Sequence, residues 1–193
     1  QSRLLTRQGQ LQLDEQKSPN EALSSLRQAL ERDVRNEEAS RLLSRLLDQK
    51  ELFDEVFEVL DGVYRDRPAP ALLAELHERR VKQAATPGER IDMRRALARV
   101  LEEEGGDPTS AQRVLLEGLR DDPADSGLID EIERLLPITR GYADASRALL
   151  ATLDELRQID AETGRELAQK AAGWLRDQVA DAAGAEAALL RAH

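Results

Sequence analysis

Residues 91–125, IDMRRALARVLEEEGGDPTSAQRVLLEGLRDDPAD, decide the fold. Met93, Leu97, Val100 and Leu101 recur at helical spacing and form one apolar stripe, with Arg94, Arg95, Arg99 and Glu102 off it. A helix with a single stripe needs another surface to cover it. Glu104 is the last good helix former before Gly105-Gly106, which permit the backbone angles of a helix exit, and Asp107-Pro108 suits the start of a second helix. That second helix carries Ala111, Leu115, Gly118 and Leu119 on one face, and the small residues at 111 and 118 predict a close approach of the two helices. Asp122-Pro123 stops it, because proline disfavours helical backbone in the residue before it.

The rest of the chain overlays on this helix pair. Leu4, Gly9, Pro19, Ala22, Leu26 and Leu30 precede Met93, Ala98, Pro108, Ala111, Leu115 and Leu119 by one constant shift (93 − 4 = 111 − 22 = 119 − 30 = 89). The same shift places Leu43, Leu46 and Leu47 on Ile132, Leu135 and Leu136, and Phe53 and Leu60 on Tyr142 and Leu149. A duplicated four-helix block is the simplest reading. A third copy begins near Gly164, where Leu167, Ala172, Trp174, Leu175, Asp181, Ala185 and Leu189 match Met93, Ala98, Val100, Leu101, Asp107, Ala111 and Leu115 at a shift of 74 (181 − 107). The difference, 89 − 74 = 15, corresponds to residues 71–85, between the turns Pro68-Ala69-Pro70 and Thr86-Pro87-Gly88. That stretch predicts an extra helix without a later counterpart, and a break in the stack.

The run Leu97, Ala98, Leu101, Gly106, Ala111, Leu115, Gly118, Pro123 resembles a tetratricopeptide repeat, with a small residue inside each helix, glycine at the turn and proline at the exit. The fit needs one extra residue in the turn. It is most similar to the degenerate repeats of large bacterial scaffold proteins, and the preference for Arg over Lys with abundant Ala and Leu suits a GC-rich genome. The resemblance implies an all-α fold, a right-handed α-solenoid of antiparallel helix pairs with about 10–11 helices. It would be a single array over residues 1–193, with repeat blocks 1–68, 89–160 and 163–193 and an irregular helix at 71–85. In such stacks the first helix of each pair lines the concave face where partners bind. That implies a partner-binding role for Asp92, Arg95, Arg99 and Glu102, with Arg134 on the next first helix.

Composition agrees with a helical stack. Hydrophobic residues make up 40% of the 193 but aromatics only 3%, so the core must come from Leu, Ala and Val, which favours helices over a sandwich or barrel. A net charge of −10 with 34% charged residues argues against nucleic acid or an anionic membrane as partner. No apolar run approaches the length of a membrane span, so no membrane insertion is expected. The absence of cysteine removes disulfides and thiolate chemistry and hints at a reducing compartment, hence a cytoplasmic location. The chain starts at Gln1 without a methionine and reaches His193 inside an alanine-rich helical pattern, which reads as a piece of a longer protein.

Catalytic signals are lacking. Two histidines and no cysteine give no nucleophile–base pairing and no metal-ligand spacing, so neither enzyme activity nor a cofactor nor a metal is expected. His77 reads as structural or surface. Gly105-Gly106 follows a helix rather than a strand and lacks the lysine of a phosphate loop. Residues 122–133, DPADSGLIDEIE, approximate a calcium loop, but Ala124 stands where an oxygen ligand belongs. The plainer reading is a turn followed by Asp125 or Ser126 capping the next helix. Phe53, Phe57 and Tyr64 share one helix and read as core, as does Trp174.

Charge is the informative feature. Residues 77–99 hold seven Lys and Arg against three acids, a net of 7 − 3 = +4, whereas acids outnumber bases by 11 to 2 over residues 102–133. Most charge runs are solvated helix faces. The alternative is a basic strip that takes an acidic protein or peptide, with Arg95 and Arg99 as planar forks for carboxylates. The functional expectation is a non-enzymatic protein–protein interaction scaffold. Two alternatives stay open: a regulatory or sensor module of a larger signalling protein, and an architectural spacer that self-associates end to end through Leu4-Leu5 and Ala187–Leu190.

Overall fold

Proline and short polar residues mark where the helices begin. Pro19, Pro87 and Pro108 each open a helix, where a missing N–H costs nothing, and the side chains of Asn36, Thr86, Asp107, Asp125, Asp160 and Asp181 accept hydrogen bonds from the first turns they precede. At Thr86 the cap is reciprocal, because the Glu89 carboxylate accepts from the Thr86 N–H while Glu89 N–H donates to Thr86 Oγ1.

The computed structural model describes residues 1–155 and 159–191, so the part of the second repeat block at 156–158 and the last two residues of the predicted terminal helical pattern lie outside it. The helices are α1 (Ser2–Asp14), α2 (Pro19–Arg32), α3 (Glu37–Ser44, continued by a 3-10 turn at Arg45–Asp48), α4 (Phe53–Asp66), α5 (Pro70–Gln83), α6 (Pro87–Arg99, continued by a π turn at Val100–Glu104), α7 (Pro108–Gly118), α8 (Ser126–Thr139), α9 (Tyr142–Glu155), α10 (Ala161–Trp174, continued by a π turn at Leu175–Val179) and α11 (Ala182–Leu190). That makes 11 helices and no strand among the described residues, the all-α class that the spacing predicts. None of these helices is long and apolar enough to cross a membrane.

Two compact units divide between Leu76 and His77, inside α5, which is the helix predicted at residues 71–85 to lack a later counterpart. In the first unit α1 packs on α2, α2 on α3 and α3 on α4, and α1 also touches α3 while α2 touches α4. In the second, α6 packs on α7, α7 on α8, α9 on α10 and α10 on α11, and α7 touches α9. Chain-neighbouring pairs with like helices in contact are a solenoid-like arrangement.

Element boundaries repeat with the sequence. The start of α4 maps onto that of α9 (53 + 89 = 142), and the cap Asn36 maps onto the cap Asp125. The turns α1–α2, α6–α7 and α10–α11 share their backbone. Lys17 (φ 51°), Gly106 (φ 62°) and Ala180 (φ 60°) are all left-handed, and they occupy one repeat position (17 + 89 = 106, 106 + 74 = 180). The residue after each donates its N–H six residues back, Ser18 to Gln12 O at 2.9 Å, Asp107 to Leu101 O at 2.8 Å and Asp181 to Leu175 O at 2.8 Å. Only the middle copy has the glycine that this angle favours.

Val100–Glu104 and Leu175–Val179 are π turns, in which the bonding at the helix end runs five residues back.

Most of the predicted apolar positions form the cores, while Leu4 and Leu189 are exposed. In the first unit Ala22, Leu26, Leu43, Leu46 and Leu60 are fully buried, and Phe53 stacks on Phe57 with ring centroids 6.2 Å apart. In the second, Ala111, Leu115, Leu128, Ile132, Leu135, Ala145 and Leu149 are fully buried, and the half-buried Tyr142 and Trp174 pack against them. Burying each leucine is worth about 1.5–3 kcal/mol. A β-carbon at Gly9 would lie 2.7 Å from Leu26 Cγ, so the backbone of α1 approaches α2 closely there. At Gly118 it would lie 3.1 Å from Leu128 Cδ2, which puts that close approach against α8 rather than between the paired helices as predicted. His77 is buried on α5.

Candidate partner-binding surface

Helix α6 carries arginine on two sides, and both find acids. Arg94 Nη1 donates to Glu117 Oε2 at 2.6 Å and its Nε to Asp121 Oδ2 at 3.3 Å, while Arg90 pairs with the same Asp121, so one side is stitched to α7 and the turn after it. On the other side Arg95 Nη2 donates to Asp125 Oδ1 at 2.7 Å, and its Nε lies 3.2 Å from Glu131 Oε1 without the alignment of a hydrogen bond. Arg99 Nη2 is 4.0 Å from Glu131, and Arg134 makes a two-pronged pair with Glu102 at 2.7 and 2.5 Å. The arginines of α6 therefore pair with four acids of the run 102–133, Glu117, Asp121, Asp125 and Glu131.

Steric room for Arg95 comes from Gly127, the second residue of α8. A β-carbon there would stand 2.6 Å from Arg95 Nη2. Asp125 Oδ1 meanwhile also accepts the Leu128 N–H at 2.8 Å, so one carboxylate oxygen caps α8 and holds α6 against it. The first unit has the same tie at the same repeat position (95 − 6 = 125 − 36 = 89), where the cap Asn36 donates its Nδ2 to Thr6 Oγ1 at 2.7 Å and accepts from Ala39 N–H at 3.0 Å. Arg95 thus occupies a stacking position.

All five residues predicted to bind a partner lie on this α6–α8 surface, with differing freedom. Asp92 (80% exposed), Arg99 (66%) and Arg134 (53%) are open to solvent, whereas Arg95 (21%) and Glu102 (24%) are largely engaged. The Arg134 side-chain hydrogen bond holds the Glu102 carboxyl below its usual range, and the Ser110 N–H does the same for the cap Asp107. Asp125 and Glu131 are the partners that inspection of one helix misses. Their separation from Arg95 and Arg99, 125 − 95 = 30 and 131 − 99 = 32 residues, is the signal, because residues about one repeat apart are neighbours in a stack.

This surface holds ionic pairs and helix caps. Asp122 accepts the Ala124 N–H at 2.9 Å and Asp125 caps α8, so the approximate calcium loop is a turn and a helix start. Among the described residues no group of three or more His, Asp or Glu is placed to hold a metal ion. Neither a protein-family model nor a curated protein matches the chain.

Proposed function

We propose that the chain is a tetratricopeptide-like, non-enzymatic interaction scaffold that binds a protein or peptide on the first-helix surface of α6 and α8. The observation that carries this reading is Arg99, 66% exposed, with the Glu131 carboxylate at the 4.0 Å edge of ion-pair distance. Its guanidinium keeps donors for an incoming carboxylate, and Arg134 on α8 can exchange Glu102 for a second one. Arg95 contributes by fixing α6 on α8 rather than by reaching outward. An acidic segment with two carboxylates is the favoured partner, and a bacterial cytoplasmic setting belongs to the same proposal. The test is binding of Asp/Glu-rich peptides to the chain with Arg99→Glu and, separately, Arg134→Glu. Loss of affinity in both, with unchanged helix content, supports the surface; unchanged affinity removes it.

A second reading, end-to-end self-association, draws on Leu4 and Leu190, which are 75% and 72% exposed. Sedimentation equilibrium tests it, since Leu4→Lys with Leu190→Lys abolishes any concentration-dependent rise in mass if those ends stack.

A further inference from the structure

In the first unit, α2 and α4 lie side by side and leave a groove of about 470 Å³ between them, within the range of about 300–1,000 Å³ usual for binding clefts. Its floor is apolar, made by Leu30, Val34, Val59 and Val63. Its rim is acidic, with Glu31, Glu55 and Asp66 beside the cation Arg27, a net of 1 − 3 = −2 among these four, and with Glu58, which is itself engaged. Arg27 is already shared between Glu31 at 3.4 Å and Glu55 at 3.5 Å.

The repeat supplies an internal comparison. The equivalent groove between α7 and α9 measures about 180 Å³. There the positions of Glu31 and Asp66 hold Arg120 and Glu155 (31 + 89 = 120, 66 + 89 = 155), which close the rim with a salt bridge of 2.9 Å. In the first unit both positions are acidic, so no such bridge forms and like charges face each other across an open mouth. Gly62 adds to the opening. It lies inside α4, where glycine costs about 1 kcal/mol against alanine, yet a β-carbon on it would meet no atom within 4 Å. Neither packing nor a left-handed angle requires the glycine, and its effect is to widen the groove.

We infer that the α2–α4 groove docks a cationic amphipathic helix of another protein, its aliphatic side chains on Leu30, Val34, Val59 and Val63 and its Lys or Arg against Glu31 and Asp66. The apolar floor selects such a helix over a purely ionic ligand, and the rim selects its sign. A second copy of this chain, at net charge −10, is a poor match for an acidic mouth.

The experiment is display selection of random peptides about 14 residues long, four helical turns, on the whole 193-residue chain at low ionic strength. The recovered peptides are to carry net positive charge with aliphatic residues at i, i+3 or i+4 spacing. A synthetic copy of the most enriched peptide is to lose about tenfold or more in affinity for Glu31→Arg, which rebuilds the closed rim of the α7–α9 groove, and for Gly62→Phe, which fills the floor. Circular dichroism on both variants separates blocked docking from misfolding. Recovery of no cationic peptide, equal binding to the parent and both variants, or a dimer of the chain that Gly62→Phe dissolves would each overturn the assignment.

Discussion

The guanidinium of Arg95 lies on Gly127, with Nη2 2.6 Å from where a β-carbon of residue 127 would stand and 2.7 Å from Asp125 Oδ1. The glycine, the cap and the arginine form one joint between α6 and α8. Arg95→Ala is expected to cost about 1.5–3 kcal/mol, the range for a partly buried hydrogen bond to a charged group. Arg99→Ala, one turn on and exposed, is expected to stay within about 0.5 kcal/mol. Urea midpoints of the two variants decide this.

The same joint predicts non-additivity. Gly127→Ala displaces the guanidinium in the parent but, once Arg95 is alanine, meets only Asp125 Oδ1 at 3.4 Å, so the two changes together cost less than the sum of their separate effects. A double-mutant cycle by urea unfolding checks it, and strict additivity would mean that the glycine makes no room for the arginine.

Three turns share one left-handed backbone position, and only Gly106 suits it. Lys17→Gly and Ala180→Gly relieve a conformation that costs an ordinary residue about 1–2 kcal/mol, an effect partly offset by the freer unfolded chain. Each is expected to raise the thermal midpoint, while Gly106→Ala lowers it. A fall in midpoint for both glycine variants would show that the turns hold these angles without strain.

Protonation should report on the α6–α8 pair. The Arg134 hydrogen bond lowers the Glu102 carboxyl below its ordinary 4.5, so the stability it contributes is present above that value and is lost as pH falls through the depressed one. The difference in stability between the parent and Arg134→Ala is therefore expected at neutral pH and to vanish in acid. NMR titration of Glu102 in the two proteins gives the complementary measurement, with a lower midpoint in the parent.

Helix starts, core leucines and the repeat shift were legible because each depends on local residue type: proline and aspartate at the caps, apolar residues at helical spacing, and their recurrence 89 residues on. The π turns were not legible. Val100–Glu104 is ordinary helix-forming sequence, and its widening shows only in hydrogen bonds set by the turn that follows. The candidate surface was half legible. Spacing places Asp92, Arg95, Arg99 and Glu102 off the apolar stripe of α6, but which arginine stays open is decided by acids 30–36 residues away on α8. The α2–α4 groove was invisible to periodicity, since it arises from two acidic positions and one glycine contributed by separate helices.

Capture of partners from a lysate of the source organism on the immobilised chain, at low and high salt and with Arg99→Glu beside the parent, tests the scaffold account most directly. The account predicts a defined acidic protein that is retained at low salt, released at high salt and absent from the variant, because exposed charge pairs are screened by salt. An acidic protein retained equally by the parent and Arg99→Glu at both salts, or no acidic protein retained at all, would contradict it.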